Sequence, residues 1–308
     1  MGLIRVHRPI AIAVGLAIAV VPGLIVAAAP TVLPAQSFDD LIKRGRAQTD
    51  SAKADEAVQT LEKAVKMNPQ SADAHMRLGN ALGSVAQRAS VLRQPFLARR
   101  VKSEFERAVE LDASLIGPRE GLLQFYLRAP GVMGGSEAKA REQAAAIAKL
   151  NPLRGHFAAA TIANVTKDPA GADKAYRAAA TEFPDSLNAV TTYANFLLNN
   201  NRADDAFPVL DVYLAKHADD RVALFWIGRT AAATGKQLDR GEQALRSVLA
   251  SQGTAPPAGP RIAPEAIHLR LGDIAAKRGD RVKARAAYEE AIRINPKFEQ
   301  AKKALAGL

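Results

Sequence analysis

The chain has 308 residues, 48% of them apolar and 24% charged, a balance that folds and excludes wholesale disorder. It holds no cysteine, which excludes disulfides, iron–sulfur clusters, thiolate zinc sites and a cysteine nucleophile. The 42 basic residues outnumber the 31 acidic ones and leave a net charge of +11, which favours an anionic partner. Residues 1–8 carry Arg5 and Arg8 and no acid, and no further charge occurs before Asp39. Residues 10–29 are mostly Ile, Val, Leu and Ala. A basic start, an apolar run and a small residue before a polar stretch form the pattern of a secretory signal over 1–35. The cut would fall after Ala35, with Leu33, larger than usual, at the −3 place. The other reading is an uncleaved anchor over 9–29, since about 20 apolar residues span a bilayer. The first reading makes 36–308 periplasmic or secreted. The second holds it to the inner membrane, facing the periplasm.

The remainder is periodic. Gly45 and Gly79 lie 34 residues apart. Arg44-Gly45, Leu78-Gly79, Ile227-Gly228 and Leu271-Gly272 occupy one point in matching helical segments. Downstream halves match as well. Ala57-x3-Leu61-x2-Ala64-x4-Pro69 returns as Ala172-x3-Tyr176-x2-Ala179-x4-Pro184 and as Ala284-x3-Tyr288-x2-Ala291-x4-Pro296. Small residues let two helices approach, the bulky residue is expected to plug into the next repeat, and proline ends the second helix. Such helix pairs leave one face open and must stack.

Seven units follow in chain order. Units one, four and seven (about 38–71, 153–186 and 265–298) are regular. Unit two is stretched, with Phe105-x2-Ala108 arriving late. Unit three runs from a helix at 115–127 through 128–135 to a helix at 136–150, closed by Pro152. Unit five (187–220) carries Tyr193-Ala194 and Ala206-x3-Leu210, and unit six (221–251) carries Ile227-Gly228 and Gly241-x3-Leu245. A last helix over 298–306, stopped by Gly307, should cap the open end. The domain therefore spans 36–308, with insertions at about 85–98, 128–135 and 251–264, the last rich in Gly and Pro.

The Leu-Gly and Ala-bulky-Ala-Pro spacing resembles the tetratricopeptide repeat, a 34-residue pair of helices A and B. The resemblance covers 38–308. It implies an all-α, right-handed superhelical solenoid of about seven helix pairs plus a C-terminal capping helix. It also implies a protein-interaction scaffold or adaptor, with a peptide or partner helix held in a concave groove lined by the A helices. The stretch 126–136, after a long basic unit, is similar to a subset of exported bacterial members of undefined role, which suggests the cell envelope.

By family pattern the groove residues are Arg77 and Asn80 in unit two, Thr192, Asn195 and Asn199 in unit five, Trp226 and Arg229 in unit six, and Arg270 and Asp273 in unit seven. The two-lysine, two-asparagine and arginine clamp of chaperone-binding members is incomplete. Arg77 and Asn80 fit it, but Met76 stands at a lysine place. Trp226, the sole tryptophan, is either a groove anchor or a residue buried between helices.

Other chemistry is weak. His75, His156 and His268 fall at the large-residue place of an A helix, where imidazole substitutes for tryptophan in packing. They lie in different units without ligand spacing, so no metal is expected. No Gly-x-Ser-x-Gly occurs, and no Gly-Lys-Ser/Thr follows Gly131–Gly135. The expectation is no enzyme and no cofactor. Gly134-Gly135 reads as a connector with Ser136 capping the next helix, and Met133 as its contact residue. Residues 74–103 contain no acid but hold Arg77, Arg88, Arg93, Arg99, Arg100 and Lys102. The alternative function is peripheral docking of this stretch on anionic lipids or acidic partners. Nucleic acid is the weakest candidate, because the compartment disfavours it and only Phe96 could stack on a base.

Overall fold

The computed structural model describes residues 37–251 and 261–308. The stretch 1–35, read above as a signal or an anchor, and the middle of the 251–264 linker lie outside them. Phe38–Leu308 forms one compact unit. Its described residues are helical throughout: fifteen α-helices, two short 3₁₀ turns and no strand.

The helices fall into seven pairs and a cap. Repeat 1 is α1 (Phe38–Asp50) and α2 (Ala54–Met67), and repeat 2 is α3 (Ala72–Arg88) and α4 (Gln94–Leu111). Repeat 3 is α5 (Ile116–Arg128) and α6 (Glu137–Leu150), and repeat 4 is α7 (Pro152–Val165) and α8 (Pro169–Glu182). Repeat 5 is α9 (Leu187–Asn199) and α10 (Ala206–Leu214), and repeat 6 is α11 (Arg221–Thr234) and α12 (Leu238–Ala250). Repeat 7 is α13 (Pro264–Lys277) and α14 (Arg281–Ile294), and α15 (Glu299–Ala306) covers its open face. The all-α solenoid of seven pairs plus a cap is thus the observed architecture. The extra length of repeat 2 goes into its helices, which have 17 and 18 residues where α1 and α2 have 13 and 14.

Local chemistry starts and stops these helices. Ser71, Ser136, Asn151, Asp168, Ser186, Asp220 and Asp280 each accept a hydrogen bond from a backbone N–H in the first turn that follows. Such a cap contributes about 1 kcal/mol. Pro69, Pro184 and Pro296 follow the ends of α2, α8 and α14 and prevent continuation.

Glycine on helix A explains the close packing within a pair. A Cβ on Gly45 would lie 2.6 Å from the Leu61 side chain, and one on Gly79 would lie 2.5 Å from Phe105. Gly228 meets Leu245 and Gly272 meets Tyr288 in the same way. The bulky residue of helix B therefore lies on the glycine of its own repeat where helix A carries one. It packs on the next repeat as well: Leu61 shares a buried cluster with Leu78 and Leu82, and the Tyr176 ring lies 5.1 Å from that of Phe196. A helix without Cβ at that point offers the nearest notch. Phe105 does both, since it also covers Gly121 of repeat 3.

Each helix packs on the next, and A helices also pack on A helices: α1 on α3, α3 on α5, α5 on α7, α9 on α11, α11 on α13. This second set of contacts puts the A helices on the tighter, inner side of the stack. Among the described residues no helix is long and apolar enough to cross a membrane.

The turns between A and B differ along the chain. Repeats 1, 4, 5, 6 and 7 reverse through a residue with positive φ: Ala52, Lys167, Asn201, Gly235 and Gly279. Repeat 3 uses Gly134, with φ of 95°, and Gly135 lies so close to the Ala129 carbonyl that no side chain fits. The turn of repeat 2, 89–93, has no such residue.

Candidate functional site

Helices α9, α11 and α13 lie side by side on the inner face and carry seven of the expected groove residues. Thr192, Asn195 and Asn199 line one open concavity of about 570 Å³ between the ends of α7 and α9. Asn164, Lys167 and Tyr176 form its opposite wall. There the Asn164 amide donates to the Tyr176 hydroxyl at 2.9 Å, and the Tyr176 ring lies 5.1 Å from that of Phe196. The walls are amide-rich, so they offer donors and acceptors at once, which suits a polypeptide backbone.

One helix further on, Arg229 reaches back and donates to the Asn195 side-chain oxygen at 3.3 Å. Its guanidinium lies 4.4 Å from the centre of the Trp226 ring, within cation–π range. Trp226 is half-buried against the core of repeats 5 and 6. Its ring is thus partly packed between helices, as one of the two alternatives has it, and also lies against Arg229. No ion pair joins Arg229 to a carboxylate among the described residues. Burial lowers its pKa from the ordinary high value of a guanidinium, and the like charge of Arg270 lowers it further. A cation in that position is destabilised until an anion joins it.

Arg270 and Asp273 follow on α13. Arg270 donates to Asp273 at 2.7 Å, and the Tyr288 hydroxyl donates to the other Asp273 oxygen at 3.0 Å. Burial pushes the Tyr288 phenol upward, and the Asp273 charge adds to the effect. The Nε of Arg270 is buried and has no hydrogen-bond partner. Arg77 and Asn80 stand apart from this row. They sit on α3, where Asp73 engages Arg77 at 2.8 Å and Asn80 is exposed.

The histidines act as packing residues with a polar contact. His75 lies 2.6 Å from Glu104 and 3.1 Å from the Pro69 carbonyl. His156 lies 2.9 Å from Glu182. In both, a histidine of helix A meets a glutamate of its own helix B, a pairing that no sequence spacing announces.

The basic stretch 74–103 is less charged in space than along the chain. Arg77 is paired with Asp73, Arg100 with Glu62 at 2.6 Å and Lys102 with Glu106 at 2.7 Å. Arg88 donates to the Ala52 carbonyl. Ser136 caps α6, with its oxygen 3.3 Å from the Lys139 N–H.

The tetratricopeptide repeat family matches three separate stretches: 42–83, 166–225 and 265–298. Among solved structures, a tetratricopeptide repeat protein from Parabacteroides merdae aligns with 88% of this chain and 98% of its own, at 14% identity and a TM-score of 0.50. The C-terminal part of a TPR repeat-containing protein from Cytophaga hutchinsonii aligns with 86% of this chain and 99% of its own, at 13% identity and a TM-score of 0.50. At such identity the likeness is one of fold. No curated protein matches the sequence. Three stretches of family sequence, on seven helix pairs of which four share one Gly-and-bulky notch, make the chain a tetratricopeptide repeat protein.

Proposed function

We propose that the chain is a protein-interaction scaffold of the cell envelope that holds an anionic peptide or partner helix along α9, α11 and α13. Arg229 carries this reading: a half-buried guanidinium, stacked on the only tryptophan and without an acid of its own among the described residues. Asn195 and Asn199 would bond the partner's backbone, and its carboxylate would complete Arg229 and reach toward the orphaned Arg270 Nε. Export rests on the sequence of 1–35, a basic start followed by an apolar run.

The test is a pull-down of the full tagged chain from envelope extract, beside N195A/R229A, at two salt concentrations. A protein captured at both salts by the wild type and lost by the double variant, with unchanged helicity, supports the groove. Retention by the variant removes it. Fractionation of cells expressing the tagged chain tests export: recovery in the cytoplasm alone refutes it.

A further inference from the structure

Repeats 2 and 3 carry a second concavity of different chemistry. It is a trough of about 560 Å³, lined by the C-terminal halves of α3 and α5, the N-terminal part of α4 and the turn 129–133. Gly83, Val91, Ala98, Phe105, Phe125 and Met133 are among its lining residues. Exposed apolar residues also stand next to its lining residues in the chain. Val91, Leu92, Phe96 and Val132 are 79%, 86%, 72% and 94% exposed. Every other described A-to-B turn carries polar residues at its centre, such as Ser51, Lys167, Asn201, Lys236 and Asp280. Two adjacent apolar turns flanking an apolar trough expose surface that water disfavours.

Two observations define the occupant. Arg128 lines the trough and Arg93 precedes the lining residue Gln94 in the chain; both are exposed, and neither has an ion pair among the described residues. An occupant with carboxylates beside its apolar groups matches that charge. The side-chain oxygen of Gln124, which also lines the trough, is buried without a hydrogen-bond donor. Turned into the trough, that amide can accept from the backbone N–H of a polypeptide, a donor that a lipid acyl chain lacks. We propose that this trough is a second binding site, independent of the α9–α13 groove, for a partner polypeptide whose apolar side chains are flanked by carboxylates.

Gly83 provides the test. A Cβ there meets nothing within 4 Å, so a tryptophan can enter without backbone strain and fill the trough. A random peptide library is panned on the full chain, and enriched peptides are titrated as fluorescein conjugates by anisotropy. Leu, Ile, Phe or Met next to Asp or Glu should dominate the enriched sequences. G83W should weaken them by about tenfold or more. V91D, at an already exposed lining residue, should do likewise if G83W misfolds. R93E/R128E should remove the preference for acids, and N195A/R229A should leave affinity unchanged, which separates this site from the groove. Affinity unchanged in both G83W and V91D overturns the proposal, as does a failure to enrich any peptide. So does saturable binding to vesicles of anionic phospholipid that G83W abolishes and peptides do not compete. Concentration-dependent self-association cured by G83W would assign the trough to a second copy and equally overturn it.

Discussion

Repeats 2 and 3 are joined differently from repeats 4 to 7. At the junction of repeats 2 and 3 the ring of Phe105 fills the space between Gly79 and Gly121, beside the Tyr126–Glu106 hydrogen bond. From repeat 4 onward, charge crosses each junction. Asp173 of α8 accepts from Tyr193 at 3.1 Å and from Arg202 at 2.8 Å, both in repeat 5. Asp211 pairs with Arg240 across repeats 5 and 6, and Glu242 pairs with Arg278 across repeats 6 and 7. The bonds from Arg278 and Arg246 hold the Glu242 carboxyl below its usual pKa range. One repeat frame therefore tolerates two kinds of coupling. Each leaves its own surface: an apolar trough with unpaired arginines at one end, an amide-and-arginine row at the other.

The largest effect should come from the apolar junction. Phe105 is 5% exposed, and F105A should cost ~3–5 kcal/mol in urea unfolding, nearly independent of salt. Because stacked repeats couple only to neighbours, hydrogen exchange should accelerate in α3–α6 and much less in α11–α14. Uniform acceleration along the chain would break the comparison. Next comes D173N at a polar junction, where the carboxylate accepts several charged or hydroxyl donors. A loss of ~1–3 kcal/mol is expected, smaller at high salt. A salt-independent loss would mean packing, not charge, holds repeats 4 and 5 together.

Repeat 7 offers a pH test. Burial pushes the His268 imidazole below its ordinary range, against Glu290 and with Arg293 and Arg246 acting in the same direction as burial. The unfolded chain takes up that proton near pH 6.5 while the folded one resists it. The contribution is therefore complete above about pH 6.5 and lost as pH falls below it. H268Q should flatten the decline in urea midpoint between neutral pH and the onset of general acid unfolding. Parallel pH profiles for variant and wild type would refute the assignment. The smallest effect belongs to R100A, whose partner Glu62 lies 2.6 Å away with both side chains well exposed. It should cost ~0–1 kcal/mol and nothing at high salt.

The fold was legible because close helix approach demands small residues, and Gly45, Gly79, Gly228 and Gly272 recur where it happens. What the bulky residues touch was legible only in part, as packing on the next repeat. Periodicity marks Phe105 as buried but does not say that it covers two glycines from different repeats. The row from Thr192 to Asp273 could be placed because helix A positions repeat, whereas the bond from Arg229 to Asn195 depends on how two helices are rotated. The basic stretch shows the limit of counting along a chain. Its acids come from other helices or from just outside the stretch, as Glu62 and Asp73 do. The same stretch hid the trough, since Val91, Leu92 and Phe96 look like ordinary core residues until their exposure is seen.

The stacking of Arg229 on Trp226 has an optical consequence. With a single indole in the chain, all tryptophan emission originates from this one ring. A guanidinium over its face shields it from water, and an anion that draws Arg229 away uncovers it. Occupancy of the proposed groove, by moving Arg229 or by covering the ring, should then shift the emission wavelength. The protein carries its own fluorophore at the proposed site, and a titration needs no label.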